Sequence, residues 1–154
     1  MEKKSGILSI IIVILIIIIG IMAFNQFTSS QQITVGNTKF ILPEGYHHSN
    51  PNDFGAESIT NNIHTTFLTE YNGTNITKYV EDYQKFIKTQ NQTMNVENFT
   101  IDNITLYKTV NIDNPHTIHY FFVANGNTFD VYTWDGDNNI GSIALGLAKS
   151  ATPI

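Results

Sequence analysis

The sequence contains no cysteine, and this absence excludes several kinds of structure and chemistry. Without thiols the protein cannot form a disulfide framework, use a thiol nucleophile, carry a lipid on cysteine or bind zinc through thiolates. A chain of 154 residues nevertheless suffices for one domain whose apolar core needs neither disulfides nor a metal.

Positive charge is scarce, because the chain has 8 basic residues against 13 acidic ones, and every basic residue is a lysine. Lys3 and Lys4 precede a long apolar run, so the remainder of the chain is more acidic than the net charge of -5 indicates. Acidic surfaces with scattered lysines are poorly suited to phosphate backbones and anionic lipid headgroups. The composition therefore argues against nucleic-acid binding.

Isoleucine is abundant and is concentrated in residues 7–24, which read ILSIIIVILIIIIGIMAF. The run carries no charge, and as a helix it would extend about 27 Å, close to the roughly 30 Å hydrocarbon core of a bilayer. A helix that is apolar on every side has no place in a soluble domain of this size. We therefore predict a transmembrane helix at 7–24, through which the protein contacts the lipid bilayer.

The charges beside this run predict its orientation. Lys3 and Lys4 stand before it and residues 25–32 carry no positive charge, so the positive-inside rule places residues 1–6 in the cytoplasm and the C-terminal domain outside. The alternative is a cleaved signal peptide, whose apolar region is typically about 7–15 residues long and ends at a small-x-small site. Residues 22–25 offer a poor site of this kind, so we favour an uncleaved signal anchor in the cell membrane.

The asparagine-rich sequence also contains N-x-[ST] triplets, which accept glycans only in an exported chain. They begin at Asn72, Asn75, Asn91, Asn98 and Asn103. A chain rich in asparagine and threonine produces such triplets by chance, so they add little to the prediction of export.

Residues 25–32 are predicted to be a polar tether, and residues 33–154 one extracytoplasmic α+β domain. Alternating apolar residues predict strands at 33–35, 38–42, 57–60, 64–71, 96–101, 104–112, 116–124 and 128–134. Apolar residues at three- and four-residue steps predict a helix over 77–89, with Asn75 or Thr77 as its N-cap. The residues on its apolar face are Ile76, Tyr79, Val80, Tyr83, Phe86 and Ile87. A second helix follows Asn138 or Asn139, and its apolar face contains Ile140, Ile143, Ala144, Leu147 and Ala151. The order ββββαββββα describes a mainly antiparallel sheet with two helices.

Turn residues support this order. Asn125-Gly126 lies between two alternating runs and is the strongest short hairpin signal in the chain. In Leu42-Pro43-Glu44-Gly45, proline is expected at position i+1 of a turn that glycine closes. Residues 47–55 are predicted to be a loop.

The apolar anchor, the polar tether and the segment Phe40-Ile41-Leu42-Pro43-Glu44-Gly45-Tyr46 together resemble a group of uncharacterised membrane-anchored surface proteins of methanogenic archaea. The early F-x-x-P-x-G-aromatic turn and the order of elements also resemble the PsbP-like α+β fold, over about residues 35–150. PsbP-like proteins are non-catalytic assembly or binding modules, so this resemblance implies a binding role. It implies no ligand-binding residue, because nothing beyond the turn motif matches residue by residue.

Histidines provide the candidate metal ligands. His47 and His48 lie near Asp53 and Glu57 in sequence, and imidazole suits zinc, copper or nickel. Adjacent side chains of an extended segment point in opposite directions, however, so only one of the two histidines would face a given site. An exposed polar loop is the simpler interpretation.

His116 and His119 are three residues apart. On a helix this spacing would place two metal ligands on the same face, but on a strand it places them on opposite faces. The alternation here predicts a strand, so we assign His116 to a turn and His119 to packing or to a solvent-facing position. His64 begins a strand and has no partner evident from the sequence.

The segment 135–139, DGDNN, begins like a calcium-binding loop, but glycine at position six and an acidic residue at position twelve are replaced by Ile140 and Gly146. An acidic turn followed by a helix cap is the better interpretation. No serine lies in a G-x-S-x-G frame. We therefore assign no catalytic, cofactor-binding or metal-binding residues, and no cofactor.

The last predicted hairpin is rich in aromatic residues, with Tyr120, Phe121, Phe122, Tyr132 and Trp134. Alternate members must belong to the core. The remaining face is either a binding surface or, as we favour, is covered by a helix.

These features predict a membrane-anchored extracytoplasmic domain that is a non-catalytic binding or structural module of the cell envelope, with a protein or envelope component as its partner. The alternative is a small metal-dependent hydrolase that uses the loop from His47 to Glu57.

Overall fold

The structure is a computed structural model that describes residues 31–154. The predicted membrane-spanning segment at 7–24, the tail before it and most of the predicted tether lie outside the described residues. Within residues 31–154, no helix is long and apolar enough to cross a membrane. The first strand begins at Gln32, so the last residue of the predicted tether already belongs to the domain.

The described residues form ten strands and two helices, which confirms the α+β class. The elements are β1 Gln32–Val35, β2 Thr38–Ile41, β3 His47–Ser49, β4 Glu57–Thr60, β5 Thr65–Tyr71, α1 Ile76–Thr89, β6 Met94–Ile101, β7 Ile104–Asn111, β8 Ile118–Ala124, β9 Asn127–Thr133, α2 Ile140–Ser150 and β10 Thr152–Pro153. The predicted strands and helices are all present. The short strands β3 and β10 are additional, and β3 lies within the segment predicted to be a loop.

The strands form two antiparallel sheets. The larger one has the order β3-β4-β5-β9-β8-β7-β6, and the smaller one has the order β1-β2-β10. Helix α1 connects β5, in the interior of the larger sheet, to β6 at its far edge. The helix therefore crosses one face of the sheet, where it contacts β6, β7 and β8.

The hairpins depend on residues that tolerate a positive φ. Asn125 (φ 49°) and Gly126 (φ 82°) join β8 to β9, as the sequence predicted. Asp102 (φ 51°) and Asn103 (φ 65°) join β6 to β7 in the same way. Positive φ at both central residues is the type I′ geometry that matches the twist of adjacent strands.

The turn after β2 differs from its prediction by one residue. The backbone N–H of Tyr46 donates to the carbonyl of Pro43 at 3.1 Å, so Pro43 occupies position i rather than i+1. Gly45 then lies at position i+2 with a φ of 80°, a conformation that glycine adopts without strain.

The apolar core lies on the opposite face of the larger sheet from α1, under α2 and the smaller sheet. Helix α2 buries Ile140, Ile143, Ala144 and Leu147 in this core, and these residues share the face that the sequence predicted. The remaining members of the core are Ile33, Val35, Phe40, Leu42, Tyr46, Ile59, Leu68, Leu106, Tyr120, Phe122, Phe129 and Val131.

The face covered by α1 is packed differently. Of the apolar residues predicted to face inward from this helix, only Val80 and Ile87 are fully buried. Tyr79 and Tyr83 are half-buried, and Phe86 is 57% exposed. Tyr83, in the middle of α1, contacts the sheet through its ring, which lies 4.3 Å from that of His119, and a cavity remains beside these rings.

Replacement of Phe40 by alanine is expected to destabilise the domain by roughly 3–5 kcal/mol, because it leaves a cavity in a closely packed core. Phe40 is fully buried, and its ring lies 5.0 Å from that of Phe129 and 6.2 Å from that of Phe122. The free energy of unfolding from urea titration, followed by circular dichroism, measures the effect. Ile41→Ala is the matched control, since this neighbour is 43% exposed and should cost less than about 1 kcal/mol. Equal losses from the two variants would contradict this assignment of the core.

Candidate ligand-binding cavity

A cavity of about 600 Å³ lies between α1 and the larger sheet. Its volume is in the range of sites that hold small molecules, roughly 300–1,000 Å³. The cavity is lined by Tyr71, Tyr79, Asp82, Tyr83, Phe86, Ile87, Gln92, Asn111, Asn114, Thr117, His119, Phe121, Asp130, Tyr132 and Trp134. Aromatic rings thus make up much of the wall, and polar side chains lie between them.

The floor of the cavity comes from alternate residues of β8 and β9. In this hairpin His119 lies opposite Tyr132, and Phe121 lies opposite Asp130. Because side chains alternate between the faces of a strand, these four project toward α1, while the residues between them enter the apolar core. Trp134 follows β9 and lies on the same face. The aromatic residues of this hairpin are thus divided between the apolar core and the cavity.

His119 and Asp130 form a buried pair at this floor. The Nδ1 atom of His119 lies 3.0 Å from Oδ1 and 2.9 Å from Oδ2 of Asp130. The side chains are 8% and 4% exposed, respectively. Burial raises the pKa of Asp130, while the charge and the hydrogen bond of His119 act in the opposite direction.

Two tyrosines enclose the imidazole ring of His119. The ring of Tyr132 stacks on it at a centroid distance of 4.6 Å and an angle of 9°, and the ring of Tyr83 lies 4.3 Å away. Nε2 has no hydrogen-bond partner within residues 31–154. It is not fully enclosed, however, because the fully enclosed side-chain atoms without a partner in this part of the chain are the hydroxyls of Thr66 and Thr109. Since the ring lines the cavity, Nε2 reaches solvent through the cavity.

The phenol groups around the pair are held in their neutral form. Burial first, and then the negative charge of Asp130, raises the pKa of Tyr71 and of Tyr83. Burial is also the largest cause of the raised pKa of Tyr132, whose hydroxyl accepts a hydrogen bond from Asn52 at 3.1 Å. These hydroxyls can therefore both donate and accept hydrogen bonds at neutral pH.

Charge of one sign dominates the lining, which contains Asp82 and Asp130 but no lysine or arginine. Asp82 lies on α1 and is 48% exposed. Its carboxylate binds Lys78 at 2.5 Å and Lys85 at 3.6 Å. Both lysines are largely exposed, and because residues 78, 82 and 85 share one face of the helix, they compensate the charge of Asp82 at the rim of the cavity.

An amide pair closes the end of the cavity near the C-terminus of α1. The Nδ2 atom of Asn111 donates to Oε1 of Gln92 at 2.8 Å. The Oδ1 atom of Asn111 accepts from the backbone N–H groups of Asp113 and Asn114. Asn111 is 5% exposed, so its polar atoms are satisfied within the protein and hold the segment after α1 against β7.

The histidines singled out in the sequence are dispersed in the structure. His48 Nε2 contacts Glu57 Oε2 at 2.7 Å on the exposed surface of β3 and β4. Within residues 31–154, no three histidine, aspartate or glutamate side chains are grouped closely enough to hold a metal ion. His116 lies in the turn before β8, as predicted, whereas His119 is on the strand and faces the cavity.

His64 and the acidic segment 135–139 meet at the end of the sheet. His64 Nδ1 lies 3.1 Å from Asp135 Oδ1. Burial opposes the ionisation of Asp135, but hydrogen bonds from the Thr65 backbone, Thr133 and His64 prevail and lower its pKa. Asp137 accepts from the Tyr46 hydroxyl at 2.7 Å and from the Asn139 backbone at 2.9 Å, so it serves the start of α2 as an acidic turn.

Asp130 was not predicted as a site residue, although the sequence contained the signal for it. The two-residue turn at Asn125-Gly126 fixes the hairpin register, which places residue 130 diagonally across from His119 on the same face. An aspartate within an otherwise apolar strand, diagonal to a histidine, indicates a buried pair.

Replacement of His119 by leucine is expected to lower the free energy of unfolding by roughly 3–5 kcal/mol at about pH 8, because Asp130 then remains buried without a partner. The pKa of Asp130 in the folded state already lies above its ordinary value. Without His119 it should rise further, so the folded variant binds a proton that the unfolded chain releases. Stability therefore falls as pH rises and is regained as pH falls through the folded pKa.

The double variant His119→Leu/Asp130→Asn is the matched control, since it removes the ionisable group as well. The difference in unfolding free energy between the single and double variants should grow with pH in urea titrations at several pH values. A difference that is the same at every pH would show that the charge of Asp130 is not the cause.

No protein-family model matches the chain, and no curated protein is similar to it in sequence. Among solved structures, the chain is similar to the cyanobacterial PsbP (CyanoP) from Synechocystis sp. PCC 6803. The two are 12% identical, with a TM-score of 0.49, and the similarity covers 82% of this chain and 94% of that one. This is a weak likeness of fold, and no function is transferred from it.

Proposed function

We propose that the protein is a membrane-anchored, extracytoplasmic binding module that holds a small molecule in the cavity between α1 and the larger sheet. The observation that carries this proposal is the buried His119–Asp130 pair at the floor of an aromatic cavity. A well-formed, mainly apolar cavity with a few convergent polar groups is the usual form of a ligand site.

The contacts of His119 favour binding over catalysis. A histidine oriented by a carboxylate is the arrangement of a general base, but such a base needs a nucleophile or a water positioned at its other nitrogen. No hydroxyl of residues 31–154 is hydrogen-bonded to Nε2 of His119. A ligand group that hydrogen-bonds to this nitrogen satisfies it without any reaction.

The alternative of a metal-dependent hydrolase has less support. His48 and Glu57 supply two neighbouring side chains, whereas a catalytic zinc needs three protein ligands and an open position. Asp53 is an exposed residue of the adjacent loop and does not join them in a group of metal ligands.

The location in the membrane rests on the uncharged run at 7–24 and on the lysines before it. The N-x-[ST] asparagines are compatible with an exported domain, because all of them are exposed. Asn91 and Asn103 also adopt a positive φ in turns. This exposure leaves room for a glycan at each position.

The orientation predicts a specific pattern of protease sensitivity. Protease added outside intact cells should remove an epitope tag fused after Ile154 and leave a tag fused before Met1 intact, because only the C-terminal domain lies outside. Immunoblots of the two tagged proteins measure this. Protection of the C-terminal tag would contradict the proposed orientation.

Binding in the cavity predicts that the full-length protein purified from its native membrane carries a small molecule. Thr117→Phe should abolish this, because Thr117 lines the cavity and its side chain makes no hydrogen bond within residues 31–154. Thr77→Phe is the matched control, since Thr77 is exposed on α1 and does not line the cavity.

Mass spectrometry of molecules released on denaturation compares the three proteins. The wild-type protein and Thr77→Phe should release the same small molecule, and Thr117→Phe should release none. Release of the same molecule from all three, or of none from the wild type, would contradict ligand binding in this cavity.

A further inference from the structure

We propose that the ligand of the cavity is a small organic cation, a protonated amine that donates a hydrogen bond to Nε2 of His119 and packs its body on the aromatic walls. This inference rests on the proposed function and specifies the chemical class of the ligand. Three independent features of the cavity support it: its charged groups, its aromatic rings and the free nitrogen of His119.

The charged groups of the lining select against anions. Asp130 is a carboxylate at the floor of the cavity, and the lining contains no lysine or arginine. Asp82 does not add to this selection, because its carboxylate is already paired with Lys78 and Lys85. An anion inside would therefore lose its hydration and meet Asp130, whereas a cation would be attracted to it.

The aromatic rings provide a favourable surface for a cation. Tyrosine and tryptophan carry negative charge on their ring faces and attract an ammonium group within about 6 Å of the ring centroid. Tyr83 is partly buried and Trp134 is 46% exposed, so their rings retain surface that a ligand can contact, whereas Lys78 Nζ already lies 5.3 Å from the centroid of Tyr79. A desolvated contact of this kind raises affinity by about tenfold or more.

The nitrogen of His119 can accept a donor from the ligand. When Asp130 is ionised it can only accept hydrogen bonds, so Nδ1 of His119, at 2.9 Å, carries the proton. In the neutral tautomer with the proton on Nδ1, Nε2 is an acceptor, and a bound cation favours this tautomer because it stabilises the ionised carboxylate beside it. A primary ammonium group supplies both the positive charge and the N–H donor, whereas a carboxylate ligand supplies neither.

The test uses three probes with the same ring and similar chain length: phenethylamine, which is a cation, phenethyl alcohol, which is neutral, and hydrocinnamate, which is an anion. Trp134 is the only tryptophan of the chain and lines the cavity, so its fluorescence reports binding at this site. The full-length protein is titrated in nanodiscs of phosphatidylcholine, whose headgroup has no net charge. The dissociation constant of phenethylamine should be lower than those of the other two probes by about tenfold.

A pair of variants at Asn114 tests the role of charge. Asn114 is exposed at the edge of the cavity, and its side chain makes no hydrogen bond within residues 31–154. Asn114→Lys places an ammonium group there and should weaken phenethylamine several-fold while leaving hydrocinnamate unchanged or tighter. Asn114→Gln, which adds length without charge, should change all three affinities by the same factor, so that only Asn114→Lys alters the ratio between the cation and the anion.

The outcomes separate this inference from the proposed function. If hydrocinnamate or phenethyl alcohol binds more tightly than phenethylamine, and Thr117→Phe abolishes that binding, the ligand is not a cation, although the cavity is still a binding site. A response to phenethylamine that persists in Thr117→Phe would also overturn this inference, because the probe would then lie elsewhere. If none of the three probes binds, a small aromatic amine is rejected as the class of ligand. The proposed function is then decided separately, by whether the purified protein releases a native small molecule.

Discussion

The register of the β8–β9 hairpin determines the composition of both faces of the larger sheet. The two-residue turn at Asn125-Gly126 pairs Ala124 with Asn127, and every other pair follows from it. One row of side chains enters the apolar core, and the other faces the cavity. Because the side-chain period of a strand is two, a slip of one residue would exchange these rows. Asp130 would then enter the apolar core, where it has no partner, so the alternative register is strongly disfavoured.

The buried His119–Asp130 pair is not explained by stability. Removing two polar groups from water costs several kcal/mol per ion, and apolar residues of similar size in such positions are often neutral or stabilising. The pair is nevertheless enclosed by tyrosine rings, which position the imidazole and leave one of its nitrogens accessible from the cavity. This arrangement fits the proposed binding role, in which a ligand group replaces the solvent that Nε2 reaches through the cavity.

Much of the fold could be predicted from the sequence, because local patterns determine most of its elements. Alternating residues and the Asn-Gly turn indicated the strands of the larger sheet, and the three- and four-residue spacing indicated both helices. Strand β3 was missed because His47, His48 and Ser49 are all polar and belong to an edge strand that pairs only with β4. Strand β10 was missed because it has two residues, one of them Pro153.

The cavity was harder to predict, because it depends on how closely a helix approaches a sheet. The aromatic face of the last hairpin was expected to be covered by a helix, and α1 does cover it. Periodicity identified which residues of α1 face inward, but it gave no distance between the helix and the sheet. To predict that His119 pairs with Asp130, it is necessary to know both the register of the hairpin and which of its faces α1 covers.

The position of α1 explains why a cavity remains beneath it. At its start, Asn75 accepts from the Lys78 backbone as the N-cap, and the Tyr79 hydroxyl donates to the carbonyl of Asn72. After its end, the Ile112 backbone donates to the carbonyl of Thr93 at 2.8 Å, which ties the chain to β7. The helix is thus fixed at both ends by its route from β5 to the far edge strand.

Between these ends, the residues of α1 that face the sheet include large, half-buried tyrosines. A tyrosine keeps its hydroxyl near solvent or a partner, so it does not pack as deeply as leucine would. Tyr79 stacks on Tyr71 at 4.7 Å, and Tyr83 lies over His119, which together hold the helix above the floor. Leucines at these two positions of α1 would allow closer packing and a smaller cavity. The aromatic residues that line the site are therefore also the residues that keep it open.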